Sequence, residues 1–287
     1  MRDRSVTRAG QRLGLSQPAM SHALTRLRHM LNDELFVRSP NGMMPTPRAE
    51  ALATPVRFAL DGLQQSLEPD EFDPSKATTT FRIAVDNYAA IVLAAPIAAR
   101  VAREAPGVRL DFRPSGTLDV LEQLDRSELH LAMGPWDVPG ERFVRKRLVQ
   151  DQFVIVYRKG HPGMKAQEFP TEKLATLPQL EISSARFGPE FETGLGKSRP
   201  GPKPAMRAPF LSAAQILATS DLVSVLPLNV AKNMTRSHPL LYRRLSRSPK
   251  PIETAMIWLR RLDNLPAHGW LRGVINRVAR DMQYVEG

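Results

Sequence analysis

The stretch from Ser16 to Leu31 constrains the fold of this chain more than any other, because its pattern is that of a helix with two different faces. Ser16 is a favourable N-cap, and Pro18 falls in the first turn, where a missing backbone N–H costs little. Apolar residues recur at steps of three and four along one side: Ala19, Met20, Ala23, Leu24, Leu27 and Leu31. The other side carries Gln17, Pro18, Ser21, His22, Thr25, Arg26 and His29. The amide, hydroxyl, imidazole and guanidinium groups on this side favour contacts with base edges and phosphates.

The segments on either side predict a helix-turn-helix followed by a small hairpin. Ser5 can cap a short helix over VTRAGQRL, and Gly14 supplies the turn before Ser16. After the second helix, apolar residues at 35–37 and 43–44 flank Pro40-Asn41-Gly42, and Asn-Gly is a strong signal for a tight turn. The hairpin would form a wing, with Arg38 placed to reach a phosphate or the minor groove.

The order of these pieces resembles that of the LysR-type transcriptional regulators. The matching residues are SVTRAGQRLGLSQPAMSHALTRLR, ELFVRS and PTPRAEAL, and further along VLEQLDRSELHLAMG, FVIVYRKGHP and MRAPFLSAAQILATSDLVSVLP. The resemblance therefore extends over nearly the whole chain. Members of the family normally carry one more helix before the position of Ser5, and residues 1–4 are too short to form it. Either translation starts upstream of Met1, or the DNA-binding domain of this chain is impaired.

A long helix is expected to follow the winged domain of residues 1–46. Thr46-Pro47 is a helix start, and the helix should run over 47–67 with a kink at Pro55. Its apolar residues step by four, four, three and four, close to a coiled-coil seam: Leu52, Val56, Leu60, Leu63 and Leu67. The seam could pack on its own domain, but we favour the reading of the family, a linker helix that pairs two chains into a dimer. The acidic and polar segment 68–80 reads as a hinge.

Residues 81–287 predict an α/β effector-binding domain of two lobes. Strand-like FRIAV, VRLDF and LHLAM alternate with helical stretches, which implies βαβ units and a parallel sheet. We expect the first lobe to comprise 81–157 and 252–287, and the second to comprise 158–251. Two such lobes joined by crossing strands form the periplasmic-binding-protein-like architecture, which the LysR-type effector domain shares. The predicted fold class is therefore α/β, with a winged helix-turn-helix and a linker helix ahead of it.

In open parallel sheets the ligand crevice lies beyond the carboxyl ends of the strands. In the first lobe those ends place three candidate groups, which are Asp86-Asn87-Tyr88, Ser115-Gly116-Thr117 and Met133-Gly134-Pro135. In the second lobe they place Ser183-Ser184 and Leu211-Ser212. Hydroxyls at Ser115, Thr117 and Ser212 could hold a carboxylate or phenol oxygen, or they could simply cap helices. Tyr88 and Phe187 could supply aromatic walls or belong to the core.

The composition supports a DNA partner and argues against other classes. The net charge of +11 lies in residues 1–67 and 232–287, whereas the charges between them cancel, so a polyanion partner fits the amino-terminal end. The basic excess at the other end reads more simply as a solvated helix face. With no cysteine there can be no thiolate metal site. The chain shows no secretory signal and no bilayer-spanning run, which agrees with the cytoplasm.

No catalytic constellation is evident, and we expect neither a cofactor, a metal nor an enzyme. Gly194 to Ser198 looks like part of a phosphate loop, but Phe191 stands where that motif requires its first glycine. His22 and His29 share one helix seven residues apart, which is not a metal-ligand spacing. The main alternatives to a regulator are a soluble enzyme on the bilobed fold and a sensing dimer that has lost DNA binding.

The sequence therefore predicts a ligand-responsive transcription regulator that binds double-stranded DNA. The residues expected at the DNA are Ser16, Gln17, Pro18, Ser21, His22, Thr25, Arg26 and Arg38. The residues expected at the effector are Asp86, Asn87, Tyr88, Ser115, Gly116, Thr117, Met133, Gly134, Ser183 and Ser212. The effector would be a small organic acid or an aromatic compound. The resemblance also implies a homodimer that assembles further into a homotetramer.

Overall fold

The computed structural model describes residues 5–39, 42–67, 72–138, 140–164, 169–183 and 205–284. The chain divides into two compact units, residues 1–67 and residues 68–287. Several positions considered above lie outside the described residues. They are residues 1–4, Pro40, Asn41, residues 68–71 of the predicted hinge, Ser184, Phe187, Phe191 and the segment Gly194 to Ser198.

The first unit is a helix-turn-helix followed by a hairpin and a long helix. Its elements are α1 (Val6–Arg12), α2 (Gln17–Leu31), β1 (Phe36–Ser39), β2 (Gly42–Pro45) and α3 (Pro47–Leu67). The oxygens of Ser5 and Ser16 cap α1 and α2, each accepting a backbone N–H at 3.4 Å. The hairpin pairs Phe36 with Pro45 and Ser39 with Gly42, which has the positive φ that the turn requires. The predicted order of helices and strands is therefore confirmed.

The apolar side of α2 is less covered than its spacing predicts. Leu24 is buried with Leu35 and Ala49, but Ala19 is exposed and Leu27 is 45% exposed. Spacing of this kind is typical of a buried stripe, but few elements of this unit pack against α2, so its apolar side is only partly covered. α1 crosses α2 closely at Gly10, where an added Cβ would lie 3.1 Å from the Leu15 carbonyl oxygen. The core of this unit is consequently small.

The first sheet of the second unit has the strand order β4-β3-β5-β12-β6. β3 (Thr80–Val85) runs parallel to β4 (Arg109–Pro114) and β5 (Leu131–Gly134). β12 (Ile252–Leu259) is antiparallel to β5 and to β6 (Phe143–Asp151). The helices of this part are α4 (Asn87–Val92), α5 (Ala94–Glu104), α6 (Val120–Asp125) and α9 (Pro266–Tyr284). The three central strands, β3, β5 and β12, are buried on both faces because helices cover both faces, as in other α/β sheets.

The second lobe is built around a sheet with the order β10-β7-β11. β7 (Phe153–Arg158) is antiparallel to β10 (Ser224–Pro227) and β11 (Leu240–Arg244). β8 (Leu180–Ser183) runs parallel to β9 (Met206–Pro209) and joins β10 through a bond from the Leu180 N–H to the Val223 carbonyl oxygen at 2.8 Å. Helices α7 (Phe210–Thr219) and α8 (Leu228–Ser237) complete the lobe.

The crossing between the lobes comes earlier than we expected. Residues up to 157 were assigned to the first lobe, but β7 pairs with strands of the second. The chain therefore crosses at Gln152, between Asp151 at the end of β6 and Phe153 at the start of β7. Residues that favour strands continue through the crossing, because both sheets require the same residue types. The position of the crossing therefore cannot be read from the sequence. Among the helices that the structure describes, none has the length and apolar character needed to span a bilayer.

Candidate DNA-binding surface and effector site

The polar face of α2 is exposed along its whole length. The side chains predicted to contact DNA are all accessible: Ser16, Gln17, Pro18, Ser21, His22, Thr25, Arg26 and, on β1, Arg38. Thr25 differs from the others because its hydroxyl donates to the Ser21 carbonyl oxygen at 3.0 Å. Its oxygen therefore remains available mainly as an acceptor, whereas Gln17 and Ser21 can both donate and accept.

Arg28 connects the recognition helix to the hairpin, a role that the sequence analysis did not identify. Its Nε donates to the Glu34 carbonyl oxygen at 2.8 Å, and one terminal nitrogen donates to the Phe36 carbonyl oxygen at 3.0 Å. These bonds fix the start of β1 relative to α2. An arginine on a polar helix side reads as solvated, and the spacing alone does not show that carbonyl groups lie beneath it.

Asp33 joins the end of α2 to the hairpin and to α3. Its Oδ1 accepts from the Leu35 N–H at 2.6 Å and from the Thr46 hydroxyl at 2.7 Å. These bonds hold the pKa of Asp33 below its usual value, since they stabilise the ionised form. Thr46 in turn accepts from the Ala49 N–H at 3.1 Å and so caps α3. An Asp two residues before a buried leucine is a recognisable turn signal, and it could have revealed this junction.

The candidate effector residues of the first lobe meet at one edge of the sheet. Val85 pairs with Pro114 on one side and with Met133 on the other, and the Asp86 N–H donates to the Met133 carbonyl oxygen at 3.1 Å. Asp86, Ser115 and Gly134 therefore follow three adjacent strand ends. Asn87 and Gly116 are partly exposed, and Ser115 to Thr117 form a 3₁₀ turn. The Met133 side chain belongs to the core, and Trp136 covers Gly134.

The Asp86 carboxylate has only one of its two oxygens satisfied by a hydrogen bond within the described residues. Its Oδ1 accepts from the Ala89 N–H at 2.8 Å and caps α4. Its Oδ2 is buried and finds no hydrogen-bond donor within the part of the chain that the structure describes. Burial disfavours the charged form and raises the pKa of Asp86 to about 6.

Tyr88 does not form an open wall in this conformation. It is 2% exposed, and its hydroxyl donates to Asp151 Oδ2 at 3.1 Å. Burial, followed by the negative charge of Asp151, raises the pKa of Tyr88 above its usual value. Asn229 on α8 also contacts this pair, with its side-chain amide donating to the Tyr88 oxygen at 3.4 Å. Asp151 and Asn229 carry no sequence signal for this role, because 63 and 141 residues separate them from Tyr88.

In the second lobe, Ser183 ends β8 opposite Pro209. Ser212 lies in the first turn of α7, where its hydroxyl donates to the Pro209 carbonyl oxygen at 3.0 Å. The start of α7 has no side-chain cap, so this bond does not make Ser212 an N-cap, and the serine oxygen can still accept a hydrogen bond. No group of three metal-ligating side chains occurs among the residues with described positions.

An exposed helix-turn-helix face followed by a two-lobed α/β body defines a class of protein, the transcriptional regulators with a small-molecule-binding domain. Comparison with models of known families identifies the family within that class. Residues 1–50 match the bacterial regulatory helix-turn-helix proteins of the lysR family, and residues 75–280 match the LysR substrate binding domain. The chain belongs to the LysR family of transcriptional regulators.

Similarity to individual proteins supports the same family assignment. The chain is 33% identical to the transcriptional regulator SyrM 1 of Sinorhizobium fredii, over 96% of this chain and 81% of that protein. It is 32% identical to the transcriptional activator NagR of a Ralstonia species, over 94% of this chain and 90% of that protein. Among solved structures, a probable transcriptional regulator from Pseudomonas aeruginosa superposes with a TM-score of 0.70 at 28% identity, covering 96% of this chain and 92% of that one.

These findings confirm the predicted family, the predicted fold class and the function of a DNA-binding regulator with an effector-binding domain. They favour that function over a sensing dimer without DNA binding. The family consists of transcriptional regulators and not of enzymes. LysR regulators bind DNA and small-molecule effectors, and they form oligomers.

Proposed function

We propose that α2 enters the major groove of operator DNA. Gln17, Ser21 and His22 would contact base edges, with Thr25 accepting a hydrogen bond, and Ser16 and Pro18 would approach the backbone. Arg26 and Arg38 would contact phosphates. The observation that carries this proposal is the full exposure of one polar helix face while Leu24 on the opposite face is buried.

We further propose a homodimer that pairs through α3 and assembles into a tetramer in the cytoplasm. Val56 and Leu60 support this pairing, because they are apolar and about half exposed on one helix. Two chains related in this way would present two α2 helices to two half-sites.

For the effector we propose a small organic acid or aromatic compound at the strand ends that carry Asp86, Asn87, Ser115, Gly116 and Thr117 in the first lobe. The candidates in the second lobe are Ser183 and Ser212. Thermal unfolding with a panel of aromatic carboxylic acids and phenols tests this assignment. A compound that stabilises the wild-type chain should stabilise Ser115→Ala much less, whereas equal stabilisation would leave Ser115 as a cap.

The DNA-reading role is tested by the substitution Gln17→Ala. Duplexes that the wild-type chain enriches from a random pool provide the specific site, and an unselected duplex provides the reference. We expect Gln17→Ala to weaken binding to the specific site by about 1–3 kcal/mol with little change on the reference duplex. Gln11→Ala on α1 is the control, since Gln11 is equally exposed but lies outside the polar face of α2. An equal loss on both duplexes from Gln17→Ala would contradict base reading by this residue.

A further inference from the structure

The two lobes of the second unit meet at a small buried polar cluster that the effector site does not explain. Tyr88 and Asp151 are 2% and 3% exposed. The Tyr88 hydroxyl donates to Asp151 Oδ2 at 3.1 Å, and the Asn229 backbone N–H donates to the same oxygen at 2.9 Å. One carboxylate oxygen thus accepts a donor from each of two separate helices.

The three residues belong to three different parts of the fold. Tyr88 is on α4, which packs on the first sheet. Asp151 is the last residue of β6, one position before the crossing at Gln152. Asn229 is in the first turn of α8 in the second lobe, and its neighbour Leu228 donates its N–H to the Gln152 carbonyl oxygen at 2.8 Å. The cluster therefore lies where the chain first passes from one lobe to the other.

The Asp151 contact with Asn229 has a local explanation, but the contact with Tyr88 does not. α8 follows Pro227, which offers no side-chain cap, so the Asp151 carboxylate takes the place of a capping residue. That cap would exist without any contribution from α4. The Tyr88 hydroxyl adds a bond that ties α4 to the same oxygen, and a buried carboxylate depends strongly on each donor it has.

We infer that the Tyr88 hydroxyl is a latch that fixes the angle between the two lobes. Tyr88 and Asp151 both belong to the first lobe, and Asn229 of the second lobe binds both of them. Its backbone N–H donates to Asp151 Oδ2 at 2.9 Å, and its side-chain amide donates to the Tyr88 oxygen at 3.4 Å. A rotation of the lobes at Gln152 has to break or stretch these two bonds, and the second depends on the Tyr88 hydroxyl. Without the hydroxyl, the tyrosine ring would still fill its place in the core, but the lobes would sample a wider range of angles.

Tyr88→Phe tests the latch, and the chain offers a matched control. Tyr157 is also 2% exposed, and its hydroxyl accepts from Arg243 Nε at 2.6 Å. Both partners of that bond lie in the second lobe, on β7 and β11, so Tyr157→Phe removes a buried tyrosine bond within one lobe. Both variants should lose comparable stability in thermal unfolding. Only Tyr88→Phe should change the range of angles between the lobes.

The distance between the lobes can be measured directly because the chain contains no cysteine. Ala102 on α5 and Ala175 in the second lobe are both exposed, and cysteines at these positions would carry two spin labels. Diluting the labelled chain into a large excess of unlabelled chain restricts pulsed electron spin resonance to distances within one molecule. No effector is needed for this measurement.

We expect one narrow distance distribution for the wild type and for Tyr157→Phe, and a broader or shifted distribution for Tyr88→Phe. A distribution for Tyr88→Phe that matches both others would overturn the latch. If Tyr88→Phe is too unstable to label, Asn229→Ala provides the second test, since it removes the side-chain amide that donates to the Tyr88 oxygen and leaves the backbone N–H bonded to Asp151. A distribution as narrow as that of the wild type in Asn229→Ala would overturn the inference equally.

Discussion

The Asp86 side chain stabilises the fold as a helix cap and destabilises it as a buried carboxylate. The carboxylate caps α4 through Oδ1, but Oδ2 has no donor among the described residues and only 8% of the residue is exposed. A cap of this kind is normally solvated, so that its N–H bonds lower the pKa of the Asp and no burial raises it. The ionised carboxylate of Asp86 therefore destabilises the folded chain above pH 6.

Asp86→Asn should consequently stabilise the chain at pH 8. The pKa of Asp86 is about 6 when folded and 3.8 when unfolded, so ionisation opposes folding above pH 6 by about 2–3 kcal/mol. The gain over the wild type should shrink as the pH falls from 6 to 4. Urea unfolding at several pH values measures it. Asp119→Asn is the control, because Asp119 makes the same cap bond to Glu122 in an exposed position. A gain that does not vary with pH would contradict this explanation.

Two buried histidines affect stability in the opposite sense to Asp86, because they destabilise the fold as the pH falls and not as it rises. His130 Nδ1 accepts from the Arg82 N–H at 3.0 Å, and His268 Nε2 donates to the His130 carbonyl oxygen at 3.0 Å. Arg272 donates to the remaining His268 nitrogen at 2.8 Å. Both rings are thus held neutral. Burial, with the nearby positive groups adding to it, lowers the pKa of His130 to about 3 and that of His268 to about 4.

We predict that stability falls as the pH is lowered from 7 to 5. The unfolded histidines gain protons near pH 6.5 while the folded ones do not, so each should cost about 2 kcal/mol by pH 5, partly offset by Asp86. His130→Asn keeps an acceptor for Arg82 and removes one titration, so its urea midpoint should depend less on pH than that of the wild type. His22→Asn, at an exposed position, is the control. Identical slopes for all three chains would refute the assignment.

At the level of elements, the start and period of α2 were predictable from sequence, but its degree of burial was not. Ser16, Pro18 and the three- and four-residue steps are local signals, and local signals set where a helix begins. Whether Leu27 is covered depends on how many elements pack against α2, which is not a local property. The same reason explains why the bonds of Arg28 to two carbonyl groups of the hairpin could not be predicted.

The hairpin should contribute to DNA affinity without contributing to sequence choice. Arg38→Ala should weaken binding to specific and random duplexes alike and reduce the slope of log affinity against log salt by about 1. Fluorescence anisotropy across a salt series measures both quantities. Arg103→Ala, at an exposed position on α5, is the charge-matched control and should leave the slope unchanged. A loss confined to the specific duplex would assign Arg38 to base reading instead.

At the level of the whole molecule, the two-lobed architecture could be inferred from alternating strands and helices, but the crossing between the lobes could not be located. Residues of one composition continue from β6 into β7, so only the pairing of strands shows that Gln152 separates two sheets. The edge that carries Asp86, Ser115 and Gly134 was predictable, because parallel strands end together. The contact of Tyr88 with Asp151 and Asn229 was not, since it joins residues far apart in sequence.

The proposed pairing through α3 predicts that a charge at its exposed apolar surface separates the chains. Leu60 is 60% exposed, and Leu60→Glu would place a carboxylate in the interface at a desolvation cost of several kcal/mol. Sedimentation velocity should show a smaller species for Leu60→Glu. Met30→Glu on α2 is the control, because Met30 is 77% exposed but lies on another helix. An unchanged sedimentation coefficient for Leu60→Glu would remove α3 from the interface.

The central claim is that the exposed face of α2 reads the major groove, and protection of DNA from dimethyl sulfate tests it most directly. This reagent methylates guanine N7 in the major groove and adenine N3 in the minor groove. On a duplex that the wild-type chain selects from a random pool, we predict protection of guanine N7 in two half-sites about one helical turn or a multiple apart. Protection should be lost at particular guanines in Gln17→Ala. Unprotected guanines, with protection at adenine N3 alone, would contradict the claim.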